Sequence, residues 1–277
     1  MLTKIFEFAM RISPRLSRAM IRFWYQMLVV IDRQREITFM NYGYADLDPT
    51  ANGLTLKDGE SDNRYCIQLY HHVAAPVDLR ARDVVEVGSG RGGGASYIAR
   101  YLKPRTMRGI DLSDKAVEFC NTHYDTAGLS FTQGDAENLP LPDATVDAVV
   151  NLESSHCYGS MEKFLSEVHR VLRPGGYFLF SDHRDKNKVR VLRQQLKDAG
   201  LTLLTETDIT DNVVKALDLD NDRKAKLIER KCPRLLRRRM EEFAAMKGTS
   251  TYHSFASGSS RYLSFVLQKN GALGVAK

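Results

Sequence analysis

The sequence predicts an α/β protein: a doubly wound, seven-stranded sheet with helices on both faces and a helical segment ahead of it. Three observations lead there. From residue 83 short apolar runs alternate with amphipathic stretches of helical period, the signature of a parallel sheet with crossover helices. A glycine-rich turn joins the first run to the first helix of this series, and a Pro-Gly-Gly stop ends the helix before the fifth strand. Right-handed crossovers then narrow the topology to the doubly wound kind.

Taken in order, Val84, Val85 and Val87 around Glu86 form a short buried strand, and Ala95, Ile98, Ala99 and Leu102 recur at helical spacing behind the glycines. Residues 107–111 read as the second strand and Ala116, Phe119 and Cys120 mark a helix. Strands over 129–133 and 146–151 follow. Met161, Phe164, Leu165, Val168, Val171 and Leu172 form one apolar helix face, closed by Arg173-Pro174-Gly175-Gly176. Residues 177–182 and 201–206 are strands around a helix over 189–199. Residues 208–258 interrupt the alternation with polar, helix-forming sequence, and 261–269 is a final strand expected to close the sheet. Ahead of the alternation, residues 5–31 read as helical with spaced cations, 46–63 as a loop rich in turn residues, and 64–79 as helical again.

Composition bounds the rest. With 43% apolar and 27% charged residues, disorder, collagen and low-complexity scaffolds are excluded. The 4 cysteines include no C-x-x-C pair, which argues against a disulfide framework or a zinc ribbon and suits a reducing, cytoplasmic setting. A net charge of +6 permits contact with nucleic acid or an anionic membrane without demanding either. No apolar run is long enough to predict a transmembrane helix. The stretch 23–31 follows Lys4, Arg11, Arg15, Arg18 and Arg22 but lacks a small-residue cleavage site, so a signal peptide is a poor fit.

The glycine turn, Gly88-Ser89-Gly90-Arg91-Gly92-Gly93-Gly94, lets the backbone approach a ligand closely, with the N–H groups of a helix start behind it. Gly88, Gly90 and Gly93 fit G-x-G-x-x-G, the dinucleotide fingerprint. Glu86, inside the strand, favours S-adenosylmethionine over NAD: a carboxylate there repels a pyrophosphate but suits a sulfonium ligand with an ammonium group. Asp111 ends the second strand and can accept both ribose hydroxyls of either ligand. Asp135, after the third strand, is placed to accept from an adenine amino group, with the Ala136 N–H beside it; read alone, Asp135 is also an ordinary turn residue.

Glu86-Val87-Gly88-Ser89-Gly90-Arg91-Gly92, Asp111, Gly134-Asp135-Ala136-Glu137-Asn138-Leu139-Pro140 and Val171-Leu172-Arg173-Pro174-Gly175-Gly176, in this order, resemble the motifs of class I S-adenosylmethionine-dependent methyltransferases. The resemblance implies a Rossmann-like fold, with the cofactor's methionine end over Gly88, Ser89 and Gly90, its ribose on Asp111, and its adenine near Leu112, Asp135 and Ala136. Asn151 belongs to the same expected set. The division it suggests is a helical cap over 1–80, a cofactor-binding core over 81–207, a helical insertion on the acceptor side over 208–258, and a last strand and tail over 259–277.

The fourth strand runs into Asn151-Leu152-Glu153-Ser154-Ser155-His156-Cys157-Tyr158. The Pro-Pro-aromatic sequence that binds planar amines is absent, which disfavours amide and base acceptors. A hydroxyl acceptor needs a base, and His156 is in the right place. Asp182, ending the fifth strand, is placed to orient it. Alternatively His156 is a structural histidine and Asp182 a cap. Glu153-Ser154 with His156 and Asp182 is similar to sugar and natural-product O-methyltransferases that use this pair. The runs 91–97, 153–158 and 39–44 resemble the actinobacterial phthiotriol and phenolphthiotriol dimycocerosate methyltransferases, which implies a hydroxyl on a lipid-like, polyketide or other small natural-product acceptor.

The cations from Lys224 to Arg239 are interleaved with leucines and lack aromatic stacking platforms, so no nucleic acid is expected. With Trp24 and Tyr25 they allow a peripheral membrane contact, against the plainer reading of a lid. His71-His72, His183 and Cys157 lack a metal-ligand spacing and nothing here requires a metal, so no metal ligand is assigned; Asp182 is an alternative ligand in a metal-dependent enzyme. An oxidoreductase using NAD is the rival reading of the glycine turn.

Overall fold

The computed structural model describes residue 32, residues 36–48, residue 50 and residues 53–271. The helix expected over 5–31, with Trp24 and Tyr25, and Pro49 and Asn52 of the expected loop lie outside the described residues.

Among the described residues the chain begins with a strap, residues 36–44, that runs across the glycine turn, and then enters α1 (Arg64–Ala74). The alternation follows: β1 (Asp83–Val87), α2 (Gly93–Tyr97, continued by a wider turn over Ile98–Leu102), β2 (Thr106–Asp111), α3 (Asp114–His123), β3 (Leu129–Gln133) and β4 (Val146–Leu152). After a short 3-10 turn at Ser155–Cys157 come α4 (Met161–Val171), β5 (Leu172–Asp185), α5 (Val189–Asp198) and β6 (Leu201–Asp208). The stretch expected to interrupt the alternation forms α6 (Thr210–Lys231), α7 (Arg234–Phe243) and α8 (Ser250–Ala256), and β7 (Ser260–Lys269) ends the fold.

The strands lie in the order β3-β2-β1-β4-β5-β7-β6. Neighbours from β3 to β5 are parallel, whereas β7 is antiparallel to both β5 and β6. The last strand therefore does not close an edge of the sheet; it is inserted between two earlier strands. The reason is connectivity. β6 delivers the chain to the carboxyl edge of the parallel strands, and three helices keep it there. A strand starting from that edge can only return against its neighbours.

Strand pleating sorts the core. Val84 of β1 packs with α1, α2 and α6 on one face of the sheet, through Ile67, Ile98 and Val213. Val85 and Val87 face the other way, onto Phe164, Val168 and Leu192 of α4 and α5. Glu86 shares a side with Val84, and so points toward α1. Ser113 and Ser160 cap α3 and α4, their hydroxyls accepting from the Ala116 and Lys163 N–H groups at 3.3 and 3.2 Å. No helix of the described residues is long and apolar enough to cross a membrane.

A buried ion cluster pins the strap. Asp32 accepts from Arg91 of the glycine turn at 2.7 Å, from Lys231 of α6 at 2.9 Å, and from the N–H groups of Glu36 and Ile37. The Gly93 N–H and the Arg91 side chain donate to the Thr38 and Ile37 carbonyls, so the strap is tied to the turn along its length.

Candidate active site

A cleft opens where the doubly wound fold places its ligands, outside the carboxyl ends of β1 to β4. It holds about 1060 Å³ with its open mouth included. Gly88, Ser89, Gly90, Asp111, Leu112, Asp135 and Ala136 line it, together with Thr38, Phe39 and Met40 of the strap.

The Gly88 and Ser89 N–H groups both donate to the Ile110 carbonyl, at 2.8 and 3.1 Å, which folds the end of β1 onto β2. Gly88 has φ +76°, and a Cβ there would sit 2.4 Å from the Ser154 hydroxyl, so only glycine fits this turn and its close neighbour. Asp111 is held by two backbone donors, Gly90 at 2.7 Å and Ser113 at 2.9 Å. Burial raises the Asp111 pKa, against these N–H groups, which favour the anion. The Ser89 hydroxyl is buried with no hydrogen-bond partner. Leu112 is 40% exposed at the mouth. One Asp135 oxygen accepts from the Glu137 N–H at 2.9 Å, so Asp135 is both the turn residue and part of the cleft wall.

Two residues expected here stand behind the wall. Glu86 is fully buried, and its carboxyl accepts from the Tyr70 hydroxyl of α1 at 2.6 Å. Burial pushes its pKa up to about 8, against the Tyr70 hydroxyl that favours the anion. The pleat turns it into the α1 face, so it does not reach a ligand in the cleft. Asn151 is equally buried, and its side-chain nitrogen lies 2.9, 2.8 and 2.9 Å from the Val87 carbonyl, the Ser154 hydroxyl and the Tyr158 hydroxyl. It staples the end of β4 to the end of β1. The helix start also differs from expectation. The Gly93 N–H is spent on the Thr38 carbonyl, and a Cβ on Gly94 would meet the Tyr70 ring at 1.9 Å. Tyr70 and the strap therefore pack against the start of α2, and Gly93 still borders the cleft with its N–H already used.

Beside the cleft, the short turn that follows β4 brings His156 onto Asp182 of β5. The ring Nδ1 lies 2.8 Å from Asp182 Oδ1. The carboxylate is inaccessible, whereas the imidazole is 32% exposed. Asp182 also accepts from the Ser155 hydroxyl (2.6 Å), the N–H groups of His156 and His183, and the Arg184 guanidinium (3.1 Å). That saturates a group with about four lone-pair sites and makes it a firm anchor. Burial alone would raise the Asp182 pKa, but cationic His156 and Arg184 outweigh it and hold the carboxyl well below the usual range. Burial likewise works to lower the His156 pKa; Cys157 alongside and the Asp182 carboxylate overcome it and hold the ring well above the ordinary histidine value. Nδ1 is turned to Asp182, so Nε2 is the ring nitrogen not bonded to the carboxylate. Glu153 and Cys157 line the cleft, whereas His156 and Asp182 are not among its lining residues and stand beside it.

Several residues escaped the sequence reading. Glu153, noted only within a family signature, has φ +48° and lines the cleft. It accepts from the Tyr262 hydroxyl at 2.6 Å and the Tyr42 N–H at 2.8 Å, and burial pushes its pKa up to about 7 against these donors. Its partners come from β7 and the strap, 109 and 111 residues away, so no local pattern could reveal them. His183 joins His156 and Asp182 in a cluster whose ligating atoms lie within 4.8 Å. Burial, and then the neighbouring cationic His156, push His183 down to about 3. His71 and His72 are elsewhere engaged: His71 meets the Tyr97 hydroxyl at 2.7 Å and His72 stacks on Tyr44.

Comparison with known proteins shows the family. Residues 85–180 match a family profile described as Methyltransferase domain. A fatty-acid O-methyltransferase of Mycolicibacterium smegmatis is 45% identical over 202 residues, 73% of each chain. The chain belongs to the class I S-adenosylmethionine-dependent methyltransferases. A phthiotriol/phenolphthiotriol dimycocerosates methyltransferase of Mycobacterium tuberculosis is 36% identical over 249 residues, covering 90% of this methyltransferase and 92% of the relative. Among solved structures, geranyl diphosphate C-methyltransferase from Streptomyces coelicolor, in complex with S-adenosylhomocysteine, superposes with a TM-score of 0.63 at 18% identity, over 91% and 97% of the two chains. The cyclopropane synthase MmaA2 of Mycobacterium tuberculosis does so with 0.60 at 15%, over 87% and 97%. These two likenesses show the fold. The methyltransferase's cofactor is S-adenosylmethionine, and the cleft's polar groups suit it: an anchored carboxylate at Asp111 and an unpartnered buried hydroxyl at Ser89.

Proposed function

We propose that this methyltransferase places a methyl group on a hydroxyl oxygen of a lipid-like acceptor, with His156 as the base and Asp182 as the residue that orients it. The observation that carries this reading is the contact of a partly exposed His156 with a saturated, inaccessible Asp182, which occupies Nδ1 and leaves Nε2 as the ring's other nitrogen. S-adenosylmethionine supplies an electrophilic methyl on a sulfonium. Asp111 receives the ribose hydroxyls, Leu112, Asp135 and Ala136 flank the adenine, and Gly88, Ser89 and Gly90 underlie the methionine end. As the acceptor oxygen bonded the methyl carbon and the carbon–sulfur bond broke, releasing S-adenosylhomocysteine, the hydroxyl proton would pass to neutral His156 Nε2, and Asp182 would stabilise the resulting imidazolium.

One observation favours a second reading. A histidine held well above its ordinary pKa is cationic at neutral pH, and an imidazolium can anchor a carboxylate acceptor, which needs no base. The 45% identical relative is named for fatty acids. The two readings have opposite pH signatures. With a hydroxyl acceptor, kcat rises as pH rises through the His156 pKa; with a carboxylate acceptor, kcat/KM falls through it. The deciding experiment measures methyl transfer to long-chain alcohols and to fatty acids from pH 5.5 to 9.5. His156→Ala should lower kcat on alcohols by about 10²–10⁴ with S-adenosylhomocysteine affinity near wild type. Near-wild-type turnover by His156→Ala on alcohols would sink the base assignment.

The acceptor's chemistry also suggests a peripheral membrane contact through α7. Leu235 is 91% exposed, and Arg234, Arg238 and Arg239 beside it make no ion pair among the described residues. Co-sedimentation with phosphatidylglycerol vesicles but not phosphatidylcholine vesicles, reduced by Leu235→Ser, is the expected result.

A further inference from the structure

A second cleft adjoins the first and has no part in the chemistry described above. It holds about 860 Å³, open mouth included, and is walled by Ile37, Phe39 and Met40 of the strap, Leu227 and Ile228 of α6, and Phe243 of α7. Phe39, Met40 and Asn41 line both clefts, so the two spaces share a wall along the strap. Its size is that of a small-ligand site, and its lining is mostly apolar, with Glu36, Arg223, Lys224 and Lys231 also bordering it.

Two polar groups in that lining have unused capacity. Lys224 is 8% exposed, yet among the described residues its ammonium makes only a long hydrogen bond to the Tyr42 carbonyl at 3.5 Å and a wide ion pair with Asp220 at 3.9 Å. Asp220, the nearest carboxylate at 3.9 Å, is already taken by a two-pronged bond from Arg223, both contacts at 2.6 Å. An ammonium carries three donors, and meeting them only at long range in a buried wall leaves capacity for another acceptor. Asn41 is 7% exposed; its amide nitrogen donates to the Cys66 carbonyl, while its amide oxygen has no partner. A mostly apolar space with a buried, under-used cation suits a ligand that is mostly hydrocarbon and carries an oxygen along its length.

We propose that this second cleft holds the alkyl body of the acceptor, and that Lys224 receives an oxygen function carried on that body, several carbons from the oxygen that is methylated. The inference rests on the reading of the first cleft as the site of methyl transfer. It narrows the substrate class from a lipid-like acceptor to a long-chain amphiphile oxygenated at a second position. Phe39, Met40 and Asn41, which line both clefts, then border the place where the acceptor passes from one to the other.

The test uses the full chain and a fluorescent polyene fatty acid, cis-parinaric acid, displaced by hexadecanoic acid and by a panel of its monohydroxy derivatives. Leu227→Trp fills the cleft and should weaken probe binding about tenfold or more. Leu219→Trp, on an exposed turn of the same helix, should bind as wild type does. At least one hydroxylated chain should bind about tenfold more tightly than hexadecanoic acid, and Lys224→Met should abolish that advantage. A diazirine-bearing fatty acid on the unmutated protein should label residues 224–243 or the strap, which guards against a variant that fails to fold. Wild-type probe binding by Leu227→Trp, labelling confined to other surfaces, or a hydroxyl advantage that survives Lys224→Met would each overturn the proposal. Probe binding needs no methyl transfer. Binding without any transfer to lipids would therefore defeat the reading of the first cleft, whereas transfer with a KM indifferent to chain length would defeat this one.

Discussion

Glu86→Gln offers a measurement whose size follows from the structure. The Glu86 carboxyl is fully buried against Tyr70, and its pKa is pushed from 4.5 to about 8. An acid whose pKa is raised on folding holds its proton more tightly in the native state. Its contribution to stability is complete below pH 4.5 and is lost as pH rises through about 8. At 1.36 kcal/mol per pH unit, that span amounts to about 5 kcal/mol, an order-of-magnitude figure. Glutamine keeps the shape and can still accept from the Tyr70 hydroxyl, but it cannot ionise. The variant should match wild type near pH 5 and exceed it at pH 8 by several kcal/mol. Urea unfolding at pH 5, 6, 7 and 8 reads this directly. Glu153, with a pKa near 7, acts in the same direction but is present in both proteins, so the difference between the two pH curves isolates Glu86. S-adenosylhomocysteine affinity should stay near wild type, because the carboxyl does not reach the cleft. Parallel pH curves for the two proteins would refute the burial argument, and a large loss of affinity would refute the placement.

Asp111→Ala removes the carboxylate anchored by Gly90 and Ser113 and should weaken S-adenosylhomocysteine binding about tenfold to a hundredfold by calorimetry; unchanged affinity would remove Asp111 from the site. Asp182→Asn takes away the charge that raises the His156 pKa, so the rising limb of the pH–rate profile on alcohols should move to lower pH while the plateau kcat falls; an unmoved limb would show that the pair does not titrate as a unit. Gly88→Ala meets both a positive φ and a hydroxyl 2.4 Å from its new methyl. A stability loss of about 1–3 kcal/mol and impaired cofactor binding are expected from denaturation and calorimetry.

The parts of this protein that are local in the chain were legible from residue order alone. The strand-turn-helix at residues 83–102, the Asp111 strand end, the Asp135 turn and the Pro-Gly-Gly stop each depend on spacing within a few residues, which backbone geometry translates directly into structure. His156 and Asp182 were legible as candidates because consecutive strand ends in a doubly wound sheet lie side by side. What residue order could not reveal is depth. Glu86 and Asn151 sit at the ends of strands that border the cleft, yet both are buried behind it, because pleat direction and the arrival of Tyr70 from α1 decide which way a strand residue faces. Glu153 became part of the wall only when Tyr42 and Tyr262, more than a hundred residues away on either side, closed around it. The direction of β7 followed from where three helices left the chain, and the strap was fixed by one aspartate joining Arg91 to Lys231, 59 and 199 residues distant. These are contacts between surfaces, and their energy depends on what meets in space.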